Sequence, residues 1–151
     1  LFPGDEAQVE RIVSANGFFN PEEIAVAKEL ALNRITLGAE SDYYFVVALQ
    51  GEQWIGYTCY GDIAGTEGRY DLYWIAVDSA YRRMGAGRQL LGKTESRIQE
   101  CGGKKIYIET SGRAQYLPTR SFYEKTGYQL AARLLDFYAD GDDKLIYEKN
   151  C

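Results

Sequence analysis

Residues 70–101 constrain the fold of this 151-residue chain more than any other segment. From Tyr70 to Val77, Asp71, Tyr73, Ile75 and Val77 alternate with Leu72, Trp74 and Ala76. Both sets are largely apolar, the pattern of a central strand covered on both sides. A short turn follows, and then Arg82-Arg83-Met84-Gly85-Ala86-Gly87-Arg88 opens a helix. That helix is expected from Gly85 to about Cys101, with Leu90, Leu91, Thr94, Ile98 and Cys101 along one stripe. Strand, glycine turn and amphipathic helix in succession belong to an α/β domain. The turn is also a ready anion site. Its glycines let the backbone approach a bulky group, and the helix start offers free N–H groups and a positive dipole end. Arg82, Arg83 and Arg88 add bidentate donors for phosphate, so a pyrophosphate is the natural ligand.

The same stretch contains a formal nucleotide P-loop match, Gly87-Arg88-Gln89-Leu90-Leu91-Gly92-Lys93-Thr94. A true P-loop follows its strand directly and starts its helix at the Lys-Thr end. Here good helix formers fill the middle of the match, which puts Gly92 and Lys93 inside the helix, away from any phosphate. A dinucleotide fingerprint fails too, because its third glycine position is Leu90.

The remaining elements follow from local signals. Asp5 to Asn16 reads as a helix stopped by Gly17. Asn20-Pro21-Glu22-Glu23 starts a second helix, expected to reach Leu37 before Gly38. Tyr43 to Leu49 and Gln53 to Tyr60 read as strands around a Gly51-Glu52 turn, and Gly61 to Gly68 as a loop. Beyond the long helix come a strand from Lys105 to Thr110 and a short helix opened by Pro118 and closed by Gly127. Two further strands, Tyr128 to Leu135 and Lys144 to Glu148, are joined by an acidic turn over Ala139 to Asp143. The expectation is one α/β domain over residues 1–151, a mixed sheet flanked by helices.

Composition narrows the chemistry. There is no histidine, which removes Ser-His and Cys-His catalysis and imidazole zinc sites. The net charge of −5 argues against a nucleic-acid partner. Cys59, Cys101 and Cys151 are scattered and form no CxxC, so neither a disulfide framework nor a metal site is expected, and a reducing cytoplasm is the simplest location. The most apolar run is far too short to span a membrane.

With these elements in order, the sequence resembles the GNAT superfamily of N-acetyltransferases from about Tyr43 to Lys149. The likeness rests on Leu72-Tyr73-Trp74-Ile75-Ala76-Val77, on Arg82-x-x-Gly85-x-Gly87, and on Ser121-Phe122-Tyr123-Glu124-Lys125-Thr126-Gly127-Tyr128. It implies acetyl-coenzyme A as cosubstrate and no metal. The loop from Arg82 through Arg83, Met84, Gly85, Ala86 and Gly87 to Arg88 would hold the pyrophosphate. The backbone of Ile75, Ala76 and Val77 would pair with the pantetheine arm, and an N–H near Val77 would face the oxyanion. The family's usual first strand is missing or truncated, which fits a chain beginning at Leu1. Tyr116 stands where relatives often carry an asparagine that helps hold the pantetheine.

The resemblance makes Tyr123 the group that reaches the departing sulfur. With reference pKa values of ~10 for tyrosine and ~8.5 for a thiol, full proton transfer is uphill by about 2 kcal/mol, so a hydrogen bond suffices. Two carboxylates compete to take the amine proton, directly or through water: Asp71 at the start of the central strand and Glu109 near the end of the next. Glu67 and Tyr138, the latter within the run Asp136 to Asp143, are acceptor-side candidates for a cationic amine. The acceptor is a small-molecule or peptide amine; the sequence leaves the oligomeric state open, and the resemblance allows a homodimer, a frequent assembly among relatives. Two rival functions stay open: an acyl-CoA-binding sensor without catalysis, and a P-loop nucleotide enzyme.

Overall fold

The structure is a computed structural model that describes residues 1–151. Six strands form one mixed sheet in the order β1-β2-β3-β4-β6-β5. These are β1 (Tyr44–Gln50), β2 (Gln53–Asp62), β3 (Arg69–Val77), β4 (Lys105–Ser111), β5 (Gln129–Ala139) and β6 (Asp142–Asn150). The helices are α1 (Asp5–Asn16), α2 (Pro21–Leu37), α3 (Ala86–Glu100) and α4 (Leu117–Lys125). Contacts divide the chain into two compact units: Leu1–Gly61 with Tyr73–Arg97, and Asp62–Leu72 with Ile98–Cys151.

The first unit is built on local signals that behave as written. The Asn20 side chain accepts from the Glu23 N–H at 2.8 Å, and the Glu23 carboxylate accepts from the Asn20 N–H at 2.8 Å. That capping box, with Pro21 in the first turn, fixes the start of α2. Val9, Ile12 and Val13 of α1, Ala27 and Ala31 of α2, Tyr57 and Cys59 of β2 and Ala76 of β3 form the core. β1 and β2 pair antiparallel, with a bulge between Ala48 and Leu49. Burial pushes the Cys59 thiol well above its ordinary pKa, which leaves it an inert packing group.

In the second unit β3 and β4 run parallel, with Asp71 opposite Tyr107. β4 and β6 are antiparallel, with Ile108 opposite Tyr147 and Thr110 opposite Leu145. Those four side chains are buried, as is Ile106, while Tyr107, Glu109 and Ser111 occupy the other, more open face. β5 pairs only with β6 and forms an edge. Leu130, Leu134, Leu135, Phe137 and Tyr138 all stand exposed along it.

Three expectations are corrected. Cys101 is exposed and lies beyond α3, so the apolar stripe ends at Ile98. β3 is covered unequally on its two faces: Leu72 and Ala76 are buried, Asp71, Ile75 and Val77 are partly buried, and Tyr73 is 40% exposed. The acidic turn is narrower than its composition suggests. Asp140 and Gly141 alone make the connection, and Asp142 and Asp143 are buried in β6. Asp142 accepts from the Ser111 hydroxyl at 2.5 Å and pairs with Arg113 at 3.0 Å. Asp143 accepts from the Asp136 N–H at 2.9 Å and from Arg133. The Asp136 N–H, then Arg133, hold the Asp143 carboxyl below the usual carboxylate range. These two acids brace the hairpin.

Candidate active site

In the first unit, β3 delivers the chain into a braced turn. The Asp78 N–H donates to the Ile55 carbonyl at 2.9 Å. The Asp78 carboxylate accepts from the Ala80 N–H at 3.0 Å and from Arg11 of α1 at 2.6 Å. These contacts, Ala80 foremost, hold its pKa down, and Arg11 also donates to the Trp54 carbonyl at 2.8 Å. Past this brace, two residues take left-handed backbone: Arg83 at φ 68° and Gly85 at φ 81°. For a non-glycine residue such as Arg83 this is a sparsely populated conformation. The two reversals lead into α3 at Ala86, one residue later than the sequence suggests. The first-turn N–H groups of α3 have no intrahelical partners, and no acidic side chain crowds that turn. A Cβ placed at Gly85 would meet no protein atom within 4 Å. Arg83 and Arg88 are exposed beside it. The loop is therefore open, amide-rich and cationic, as a bound pyrophosphate requires.

Arg82 has other partners. Its guanidinium donates to the backbone carbonyl and the side-chain oxygen of Asn16, both at 2.6 Å, and lies 5.2 Å from the centre of the Phe18 ring. It ties the end of α1 to the loop. Gly56 of β2 packs tightly against the end of β3. A Cβ there would lie 2.8 Å from the Ala76 carbonyl oxygen and 3.3 Å from the Val77 Cα. A glycine among the aromatic residues of a strand was the available signal. The P-loop match dissolves in the same unit. Thr94, which would have to bind a metal, is 1% exposed; it shares a 2.7 Å hydrogen bond with Thr58 and donates to the Leu90 carbonyl at 2.9 Å.

The second unit holds the candidate proton carriers. Tyr123 of α4 is buried, its ring centroid 6.1 Å from those of both Tyr128 and Tyr147. Burial drives its pKa well above the ordinary value, so the hydroxyl keeps its proton throughout the working range. The end of α4 is firmly seated: Tyr147 donates to Glu124 at 3.1 Å, Lys149 to the Thr126 carbonyl at 2.9 Å, and the Tyr128 N–H to the Tyr123 carbonyl at 3.0 Å. An open groove of about 500 Å³ runs along α4, lined by Leu117, Pro118, Ser121, Phe122 and Lys125.

The two carboxylates differ sharply. Asp71 is half-buried, and its pKa is raised by desolvation and then by the negative charge of Glu109, with Lys144 pulling the other way. Glu109 is exposed and forms a 2.5 Å ion pair with Lys144. Of the acceptor-side candidates, Glu67 is exposed and paired with Lys104 at 2.5 Å, and Tyr138 is 48% exposed on β5 beside Phe137. No cluster of three or more potential metal-ligating side chains is present.

A family model described as the acetyltransferase (GNAT) family matches residues 10–128. The chain belongs to the GNAT acetyltransferase family. A solved GNAT-family protein of Desulfovibrio desulfuricans is 44% identical, with a TM-score of 0.96 over 98% of this chain and 93% of that one. An N-alpha-acetyltransferase of Sulfurisphaera tokodaii is 34% identical over 73 residues, which is 48% of this chain and 42% of the relative. The match thus spans less than half the length of that curated relative. The PaiA N-acetyltransferase of Thermoplasma acidophilum, solved in complex with coenzyme A, is 22% identical with a TM-score of 0.77 over 100% of this chain and 96% of that one. At that identity the likeness is one of fold. No helix of this GNAT protein is long and apolar enough to cross a membrane.

Proposed function

We propose that this GNAT protein transfers an acetyl group from acetyl-CoA to a primary amine. The observation that carries the reading is the loop after β3, with its left-handed Arg83 and Gly85, exposed arginines and open helix start. The Arg83–Arg88 backbone and the side chains of Arg83 and Arg88 hold the pyrophosphate. Ile75, Ala76 and Val77 offer backbone groups to the pantetheine arm. Arg82 serves this loop through its hold on Asn16. Acetyl-CoA supplies the activated acyl group. Asp71 takes the proton of the attacking amine, because it is the carboxylate with a raised pKa and no ion pair, whereas Glu109 is neutralised by Lys144. Tyr123, kept protonated by burial, donates a hydrogen bond to the departing sulfur.

The acceptor class favoured by the curated relative's name is an α-amine at a chain terminus. A panel of N-terminally free peptides, polyamines, amino acids and aminoglycosides, read by thiol release from acetyl-CoA, tests this. Amine-dependent release is expected. Tight acetyl-CoA binding without release for any amine would favour the sensing role instead. Tyr123→Phe should lower kcat about ten-fold or more, within the range of acid–base contributions; an unchanged kcat would remove Tyr123 from the chemistry.

Three free cysteines suit a reducing cytoplasm as the place of action. For a homodimer, which the family resemblance allows, the exposed apolar edge of β5 is a surface open to a second copy. Leu135→Asp should then give a monomer by light scattering, and a monomeric parent protein would remove the dimer from the reading.

A further inference from the structure

The open face of the second unit carries a ladder of charges. β4 contributes Lys105, Tyr107, Glu109 and Ser111 in alternation. Opposite them in β6 stand Asn150, Glu148, Ile146 and Lys144, and Asp71 of β3 faces Tyr107 from the other side. Two acids of this face have an ammonium of their own. Lys105 pairs with Glu148 at 3.0 Å, and Lys144 reaches diagonally to Glu109 at 2.5 Å. Lys144 is held hard in place. Its side chain is only 14% exposed, and its Nζ lies 4.5 Å from the centre of the Phe137 ring of β5. Asp71 alone among these carboxylates forms no ion pair. The charges that act on it are Glu109 of β4 and Lys144 of β6, in opposite senses.

We propose that Lys144 is a positioning residue of the acetyl-transfer site: by clamping Glu109 it takes that carboxylate out of the proton path and leaves Asp71 as the single proton acceptor. This rests on the reading of Asp71 as base. The proton leaves the ammonium form of the acceptor, binds the Asp71 carboxylate and passes on to water, and Lys144 itself neither gains nor loses one. Without the ammonium, Glu109 is an unpaired carboxylate on the strand beside Asp71. It then repels the Asp71 charge unopposed and is itself free to accept a proton.

The test combines a titration with kinetics. Asp71 is followed by carboxylate NMR in the protein alone, and kcat is measured with acetyl-CoA and the fastest amine of the panel. In Lys144→Met the Asp71 titration should move to higher pH, and Lys144→Arg should leave it in place. Lys144→Gln serves as a second neutral variant if the methionine form folds poorly. Asp71→Asn should be slow, and the double variant Asp71→Asn/Lys144→Met should recover roughly ten-fold over it as Glu109 takes over, a part of the usual general-base contribution. A slow Asp71→Asn with no recovery in the double variant, or an Asp71 titration unmoved in both neutral variants, overturns the role of Lys144 and spares that of Asp71. An Asp71→Asn enzyme as fast as the parent overturns both.

Discussion

Gly85→Val is expected to weaken coenzyme A binding by about a hundred-fold or more, close to 3 kcal/mol. Two effects combine. Gly85 sits at φ 81°, where an L-residue costs about 1–2 kcal/mol and a β-branched one is a genuine outlier. The space beside its missing Cβ is empty of protein atoms, so valine methyls would project into the volume proposed above for the pyrophosphate. Because that volume is open, the variant has room to fold: the backbone strain should lower its melting temperature modestly, and the methyls in the ligand's path should weaken affinity. Isothermal titration with coenzyme A measures it. Normal affinity in a folded Gly85→Val protein would mean that the phosphates bind elsewhere.

Asp71→Asn is expected to lower kcat by about a hundred-fold, the low end of the general-base range, and to raise stability at neutral pH. The pKa of Asp71 is raised in the folded protein by burial and by Glu109. Folding therefore favours its protonated form, and the ionised carboxylate at neutral pH opposes folding. Stability linked to this group grows as pH falls through the folded pKa. An amide in its place removes the penalty, so the variant should melt higher while turning over more slowly. The pH–rate profile provides the second signature: activity should rise with pH through the raised pKa in the parent and lose that limb in Asp71→Asn. A kcat unchanged by the substitution would assign the amine proton to water alone. Asp143 has the opposite sign. Its lowered pKa stabilises the fold above the ordinary carboxylate range, and that contribution is lost as pH falls through the folded value.

Local features were legible from sequence wherever one short segment carries the whole signal. The α2 capping box needs only Asn20, Pro21 and Glu23. The loop after β3 needs only its glycines, its arginines and the strand before it. The P-loop match could be discarded because helix propensity alone places Gly92 and Lys93 inside α3. What stayed hidden depends on register between distant strands. Asp142 and Asp143 look like a hydrated turn until the two-residue Asp140-Gly141 connection places them in β6 against Ser111, Arg113 and Arg133. An Asp-Gly pair between strands is a known hairpin signal and could have revealed it. Asp71 and Glu109 are indistinguishable as residues in sequence. Lys144, 35 positions beyond Glu109, decides between them, and only the β4–β6 register brings it there. Arg82 is a similar case, since nothing near it in sequence announces Asn16 as its partner.

The central claim is that acetyl-CoA and an amine react on this protein. Thiol release from acetyl-CoA over the amine panel, with the acetylated amine identified by mass, tests it most directly. At least one amine should release one thiol for each acetyl group gained, and Asp71→Asn and Tyr123→Phe should slow both together. Calorimetric binding of acetyl-CoA with no amine-dependent thiol release from any member of the panel, or binding of ATP without binding of coenzyme A, would contradict it.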